Sequence, residues 1–493
     1  MSHVSRRQFL EQSMLAAAAA AGAASLTPAF AAESEKQSSS PNEKLSICCV
    51  GVRGQGNQHI NQYLQRKDVE IAIVCDVDKK VGHERCDQIE ERQGRRPQYF
   101  QDMRKAFDDK SINIVDTATP NHWHALVAIW AMQAGKDVYV EKPVSHNVSE
   151  GRRMVQTARK LGKICQTGTQ CRSMSASREA IDYVKSGSIG EVNLARGLCY
   201  KGRGSLGPRA EHAIPDSINY DLWSGPAPVK PSYRNAKYGP VHYDWHWFWD
   251  YGNGDLGNQG IHQMDIARWG LGVDSISNSV ISYGGRFGYQ DAGETANTQV
   301  IIHDYGPKTL VFEVRGLKTN QYKKAGVGVI FEGTDGYVVL DSYEHGLAFD
   351  KEGNQVKEFS GGSYGAHFAN FLNAVRNRQH TDLNADILEG HLSSALCHTG
   401  NIAYRLGDEV GNDEVLERLQ SLKTNENVAD TLDRTIEHLK ANKVAIGDQA
   451  KFRIGNVLQC DPKAEVFPGN NQANAMLTRE YRAPFVVPTA DQI

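Results

Sequence analysis

The run Val138-Tyr139-Val140-Glu141-Lys142-Pro143-Val144 constrains the fold of this chain more than any other. Its apolar start reads as a short buried strand, and Pro143 ends it, because proline brings no amide hydrogen to a ladder. The segments ahead of it set its surroundings. Leu45 to Val50 is an apolar strand, Gly51 to Gly56 a glycine-rich turn, Asn57 to Gln65 a helical stretch and Glu70 to Asp76 a second strand. The cycle returns with Ile112 to Ala118, a helix from about His124 to Ala134 that stops at Gly135, and Asp137 to Glu141. Strands separated by helical segments predict a parallel sheet with right-handed crossovers. A helix over Val148 to Leu161 and a strand over Ile164 to Thr167 complete it.

Beyond about residue 170 the pattern changes. Val192 to Tyr200, Asn297 to Asp304, Thr309 to Arg315, Val327 to Glu332 and Tyr337 to Asp341 read as strands with no helix between each pair. Asp335-Gly336 and Gly353-Asn354 are turn signals, so this sheet is antiparallel or mixed. Ala366 to Arg378 and Ile387 to Leu406 read as helices. The remainder, 408–493, is an extension with one helix over Asn427 to Ala441 and then irregular sequence that wraps another part of the protein or a partner subunit.

The first residues are not part of this fold. Arg6-Arg7 precedes an apolar run from Met14 to Leu26, and Ala29-Phe30-Ala31 is a small-residue cleavage site. The run is shorter than the about 20 apolar residues of a membrane span. Paired arginines ahead of such a run mark a twin-arginine export signal over 1–31, cleaved near Ala31, with 32–43 as a linker. A periplasmic or otherwise exported protein with no stable membrane anchor is the expectation, with the twin-arginine machinery as a partner. That route carries proteins already folded, in a reducing compartment. The nine cysteines, odd in number and irregularly spaced, then read as core residues and not as a disulfide framework. A formal net charge of −3 excludes a nucleic-acid binder that works by a basic face.

The glycine turn carries the first chemistry. Gly51-Val52-Arg53-Gly54-Gln55-Gly56 lies between a strand and a helix, and Asp76 ends the next strand. The dinucleotide fingerprint has glycine first, third and sixth, with an acid after the second strand for the ribose hydroxyls. Arg53 takes the third place here and reads as a phosphate contact. Nothing basic follows Asp76 directly, and a carboxylate repels a 2′-phosphate, so NAD is favoured over NADP. Thr119-Pro120-Asn121-His122-Trp123-His124 follows another strand, at the edge where open α/β sheets take ligands. The fold class is therefore α/β: an N-terminal Rossmann dinucleotide-binding domain over 44–168, and a C-terminal α+β domain over 169–407 with an open, mostly antiparallel sheet.

These motifs together resemble the Gfo/Idh/MocA oxidoreductases. The glycine turn, Asp76, Thr119-Pro120-Asn121, Ala134-Gly135-Lys136 and Glu141-Lys142-Pro143 carry the resemblance across the whole first domain. It implies a second domain whose open sheet covers the nicotinamide, Lys142 beside that ring and a cis bond before Pro143. It also implies an acid/base histidine at the place of His262 and an aspartate four residues earlier. This chain has Asn258 there, which orients a substrate but takes no proton. The cofactor-binding set is then Gly51, Arg53, Gly54, Gln55, Gly56, Asp76, Thr119, Pro120, Asn121, His124, Glu141 and Lys142.

Lys142 and His262 are the expected catalytic pair, a lysine with a lowered pKa and an imidazole. Asp265, one helical turn after His262, joins Asn258 as a substrate contact. Tyr243 to Tyr251 is dense in aromatic residues, and His246 and Trp247 within it suit a wall against a sugar ring. Tyr200 and Lys201 add polar contacts. A metal site from His122, His124 and His262 lacks regular ligand spacing, so no metal is expected. The chain reads as an NAD-dependent oxidoreductase acting on a secondary hydroxyl of a sugar, polyol or glycoside, and as a homo-oligomer. Free NAD is scarce outside the cytoplasm, so the cofactor stays bound. The alternatives are a redox-neutral glycoside-cleaving enzyme and a sugar-binding protein without turnover.

Overall fold

The computed structural model describes residues 44–234, 241–447 and 450–493. The export signal and the linker lie outside the described residues. The first sheet is built from β1 (Leu45–Val50), β2 (Val69–Cys75), β3 (Gln98–Phe100), β4 (Ile114–Thr117), β5 (Asp137–Val140) and β6 (Cys165–Thr167). Its strands run parallel in the order β3-β2-β1-β4-β5-β6, reversing direction of growth at β1. Helices α1 (Gln55–Tyr63), α2 (Lys79–Gln93), α3 (Met103–Phe107), α4 (Asn121–Gln133) and α5 (Val148–Lys160) make the crossovers. β1 and β5 are buried almost throughout because helices cover both faces. The short β3 escapes a reading from periodicity, since Gln98-Tyr99-Phe100 carries no apolar run.

One cover of this sheet comes from far along the chain. A helix over Tyr364–Asn377 buries Phe368, Phe371 and Leu372 against Ile47, Ile71 and Tyr139, and the Phe368 ring stacks on Tyr139 at 5.0 Å. The two halves therefore share a core.

The second sheet has eleven strands. Its centre is β7 (Val192–Tyr200), paired parallel to a strand over Thr309–Arg315 and antiparallel to one over Val327–Gly333. The other pairings are antiparallel. The expected strands are present. Ser279–Gly285, His345–Asp350 and Gln355–Ser360 are further strands, and the last is exposed at nearly every position, so no apolar pattern announces it. The C-terminal extension adds Asp408–Val410, Phe452–Ile454 and Leu458–Gln459 to this sheet. It then crosses to the first domain, where Phe485 packs on Trp123 at 5.4 Å and the Tyr481 hydroxyl donates to Glu150 at 3.1 Å. The irregular tail thus wraps its own chain. All nine cysteines are buried and free. Among the described residues no helix is long and apolar enough to cross a membrane.

On one face of the second sheet sits a buried charge cluster. Glu313 accepts from Arg196 at 2.7 Å, Arg434 at 3.0 Å and Arg315 at 3.1 Å, and from the Tyr200 hydroxyl at 2.6 Å. Burial alone would raise the Glu313 carboxyl; the guanidiniums overcome it and hold the group at about 2 instead of 4.5. A depressed acid contributes stability that is present above its unfolded value and lost as pH falls through its folded value. Melting followed by circular dichroism is expected to weaken as pH drops from about 4.5 to 2. Glu313→Gln should lower stability at neutral pH, because it leaves buried cations uncompensated, and should flatten that acid dependence.

Candidate active site

The cleft lies at the C-terminal ends of β1, β2, β4 and β5, where the strand order reverses, the usual place for a ligand in such a sheet. It opens to solvent and has a volume of about 320 Å³, within the range of a usual small-molecule site, about 300–1,000 Å³. Gly51 has φ +76°, and a β-carbon there would lie 2.9 Å from the Thr119 amide nitrogen. A β-carbon on Gly56 would lie 2.0 Å from the Gly51 carbonyl oxygen. The turn is thus a cradle that side chains would fill, with α1 opening just behind it. Gly54 gives that helix no side-chain cap, so its first amides are left for a phosphate. Arg53 is exposed, lines the cleft and has no ion pair among the described residues.

Asp76 sits where the ribose acceptor is needed. Its carboxylate accepts from the Val52 amide at 2.9 Å and from the Asp78 amide at 2.9 Å. Burial pushes it up to about 6, against the pull of those two amides. The residues present therefore fit a dinucleotide. Val77, Gln101 and Met103 continue the wall on that side, and Thr119, Pro120, Asn121 and His124 form the middle. His124 has both ring nitrogens close to carbonyl oxygens, Pro143 at 2.6 Å and Thr119 at 2.7 Å, so it braces the strand ends and has no free nitrogen for a ligand.

At the other end stands Lys142, with a cis bond to Pro143. Its ammonium donates to the Asn258 carbonyl at 3.0 Å. That carbonyl belongs to a π-helical turn, Leu256–Gly260, that runs straight into a helix over Ile261–Leu271. Such widened turns recur at functional sites because they break the regular ladder. The glycine-rich stretch before His262 is accordingly helical, where its composition resembles a loop. Burial lowers the Lys142 ammonium, the Glu141 carboxylate beside it works the other way, and Lys201 adds to the drop.

Behind Lys142 lies an arrangement that the sequence reading missed. His59, fully buried, bridges Asp116 at 2.8 Å and Glu141 at 3.1 Å. Burial opposes a charge on this ring, but Asp116 and Glu141 together raise it to about 10, so it is an imidazolium at neutral pH. Glu141, pushed up by burial and pulled down more strongly by His59, is held at about 2. Gln55 also donates to Glu141, at 3.1 Å, and the Tyr63 hydroxyl donates to Asp116 at 2.8 Å. The available signals were the spacing of Gln55 and His59, one helical turn apart, and an acid at Asp116 inside an apolar strand.

A sequence model described as the oxidoreductase family NAD-binding Rossmann fold matches residues 45–169, and the model of the same family's C-terminal alpha/beta domain matches 195–439. The chain belongs to the Gfo/Idh/MocA oxidoreductase family. As a member it is an NAD-binding oxidoreductase. Levoglucosan dehydrogenase of Pseudarthrobacter phenanthrenivorans is 29% identical over 181 residues, 37% of this chain and 38% of that protein. A glycosyl hydrolase family 109 protein of Shewanella baltica is 26% identical over 209 residues, 39% and 45% of the two chains. These alignments span less than half of either relative. Among solved structures, the WlbA dehydrogenase of Bordetella pertussis with NADH and UDP-GlcNAcA superposes with a TM-score of 0.53 at 19% identity, covering 72% of this chain and 94% of that one. Levoglucosan dehydrogenase with NADH and levoglucosan gives 0.54 at 17% identity, covering 72% and 95%.

In this Gfo/Idh/MocA member the other expected site residues divide. His246 and Asn258 line the cleft with Lys142. His262 lies deeper, its Nδ1 3.8 Å from the Cys171 sulfur and its ring 5.2 Å from Tyr343. Burial, with Lys142 adding to it, pushes His262 to about 3, so it is neutral. Asp265 is placed away from the cleft. It is fully buried in a two-pronged ion pair with Arg172, at 2.8 Å for each bond, and accepts from Ser393 at 2.7 Å, which corrects its reading as a substrate contact. Tyr200 is likewise spent on Glu313, on the sheet face that carries the charge cluster. Trp247 is buried under the Arg203 guanidinium, and Lys201 is exposed with its ammonium 3.3 Å from Gln259; neither lines the cleft. His122 bonds the Trp223 carbonyl at 2.9 Å, and among the described residues no group of His, Cys, Asp and Glu is set to hold a metal ion. Tyr243 and Trp245 of the aromatic stretch line the cleft, and Trp223, Val241 and His242 line it without having been singled out in the sequence.

The Asp76 carboxylate accepts ribose hydroxyls more strongly when ionised. NAD affinity, measured by calorimetry, is expected to rise as pH climbs through about 6 and then level off. Asp76→Asn should bind NAD more weakly throughout and lose that pH dependence.

Proposed function

We propose that this protein is an exported enzyme that holds NAD tightly and acts on a secondary hydroxyl of a sugar, polyol or glycoside. The observation that carries the reading is a matched donor and acceptor on the cleft wall. His246 donates from Nδ1 to the Tyr243 carbonyl at 2.6 Å, which fixes the tautomer and leaves Nε2 as an acceptor. Its ring stacks on Trp245 at 3.7 Å, and burial keeps it neutral by pushing it to about 3. Lys142 is a donor only. A hydroxyl between them accepts from Nζ and donates to Nε2, whereas an ether or a ketone meets only one of the two. Trp245 and Tyr243 offer flat apolar faces for the C–H side of a ring.

NAD, when bound, supplies a hydride acceptor at its nicotinamide. The protein's own part is to orient the hydroxyl and carry its proton. His246, kept neutral by burial, takes that proton at Nε2, and the hydroxyl oxygen is held by Lys142. His262 stands behind it as a second neutral base. The similarity to levoglucosan dehydrogenase supports an anhydrosugar or sugar substrate. The similarity to family 109 glycosyl hydrolases supports a second reading, cleavage of a glycoside with no net redox change, for which neutral imidazoles near the reacting carbon are suited bases.

Purified exported protein incubated with a panel of glycosides and free sugars tests this. Either a reduced-nicotinamide absorbance band or a cleaved glycosidic bond without change in free NADH is expected. A cofactor-loaded protein that does neither across the panel defeats the reading. Lys142→Met should keep fold and bound dinucleotide and reduce turnover about 100-fold or more, the scale of a positioned acid/base. His246→Phe and His262→Ala then separate the two imidazoles: loss confined to the first assigns the proton acceptor to the cleft wall. Export by the twin-arginine route is tested by changing Arg6 and Arg7 to lysine, which should leave the protein in the cytoplasm; unchanged export would exclude that route.

A further inference from the structure

We infer that Ser217, Ile218, Asn219 and His242 of the second domain form a clasp over the adenosine end of the dinucleotide site, so that NAD is a resident group and not an exchanged cosubstrate. This deepens the tight holding proposed above and rests on it. The residues directly after Asp76 are the ones clasped. The Asn219 amide donates to the Val77 carbonyl at 2.9 Å, and the Lys79 amide donates to the Ser217 carbonyl at 2.9 Å. Between them Ile218 pairs antiparallel with Asp78. This is a scrap of β-ladder joining the two domains across the rim of the cleft. His242 adds a side-chain bond, Nε2 to the Asp78 carboxylate at 3.1 Å. The Gln101 amide, from the adenosine wall, donates to the Val77 carbonyl at 2.8 Å.

Apolar packing backs these bonds. Ile218 is buried with Trp223, Val241, Trp245, Phe248 and Tyr251, and Val77 packs against the same cluster. Val241, His242 and Trp245 also line the cleft. Asp76 fixes the ribose position by the logic of the fold, and Val77 and Asp78 follow it without a gap. An adenosine seated there lies beneath the ladder. To leave, it requires the ladder to open or the whole dinucleotide to slide out lengthwise. At the nicotinamide end the crossing bond is not a backbone ladder but a side-chain contact, Lys142 Nζ to the Asn258 carbonyl at 3.0 Å. A protein exported in folded form would keep a cofactor loaded in the cytoplasm by this means.

The test uses the full chain and NAD itself, and it needs no substrate. Protein loaded with labelled NAD is freed of excess by gel filtration and chased with unlabelled NAD. The parent is expected to retain label through the column. His242→Ala and Asn219→Pro, which remove one clasp bond each, should each release NAD at least about fivefold faster, the scale of a lost hydrogen bond. Nicotinamide mononucleotide, which lacks the adenosine, should leave parent and variants at equal rates. Melting curves identify a variant that is unfolded, and His242→Ala, a change at a partly exposed side chain, decides the matter where Asn219→Pro does not fold. Parent protein that exchanges label within mixing time overturns the clasp. So do folded variants that release at the parent rate, or nicotinamide mononucleotide release that speeds up equally. A sugar panel that yields no turnover leaves this measurement untouched, so the two readings fall separately.

Discussion

The buried bridge Asp116–His59–Glu141 ties together the parts on which the active site depends. It joins the end of β4, the first helix and the end of β5, at the one edge of the sheet where a ligand is received. Ionised groups this deep cost several kcal/mol each in desolvation, so they persist only where partners compensate them. Here each carboxylate has the imidazolium and at least one further donor, Tyr63 for Asp116 and Gln55 for Glu141. The result is a rigid anionic support under Lys142. Glu141 also accepts from the Lys142 backbone amide at 3.1 Å, so the lysine is oriented from its own main chain outward. Even the room for this carboxylate is built in: a β-carbon on Gly168 would lie 2.6 Å from it.

From that fixed point the second domain is positioned in three ways. The helix over Tyr364–Asn377 packs beneath the parallel sheet and its Tyr364 hydroxyl accepts from Gln55 at 2.7 Å, touching the same bridge. The Asp265–Arg172 pair fixes the helix that follows the π-helical turn, and so fixes the carbonyl that Lys142 engages. The C-terminal tail closes over Trp123 and Glu150 on the far side of the first domain. Charges in this protein thus hold the frame, and in the cleft Arg53, Asp76, Glu141 and Lys142 stand among neutral imidazoles and aromatic faces.

Much of the first domain was legible from local pattern. Apolar runs of strand length, the turn at Gly51 to Gly56 and the acid at Asp76 each act over a few residues, and backbone geometry forces the same answer wherever they occur in that order. The same locality made Lys142 readable, since Glu141 and Pro143 are its chain neighbours. The second domain was readable only in part. Gln355–Ser360 is an edge strand with exposed side chains, and Gly254 to Gly260 has the composition of a loop but takes a helical course because its neighbours pack it so. Asp265 illustrates the limit well. Its spacing from His262 is that of a site residue, and only the arrival of Arg172 from a distant segment commits it to an ion pair.

The sequence by itself determined the fold class, the dinucleotide cradle and the lysine that follows β5, because these rest on contacts between residues close in the chain. Tertiary structure alone decided which of the remaining polar groups face the cleft. His59 meets Glu141, His246 reaches the wall beside Lys142, and Ser217 to Asn219 close over the residues after Asp76 only after distant segments have packed. No periodicity encodes those meetings, since the face a polar side chain presents is set by what else is buried around it.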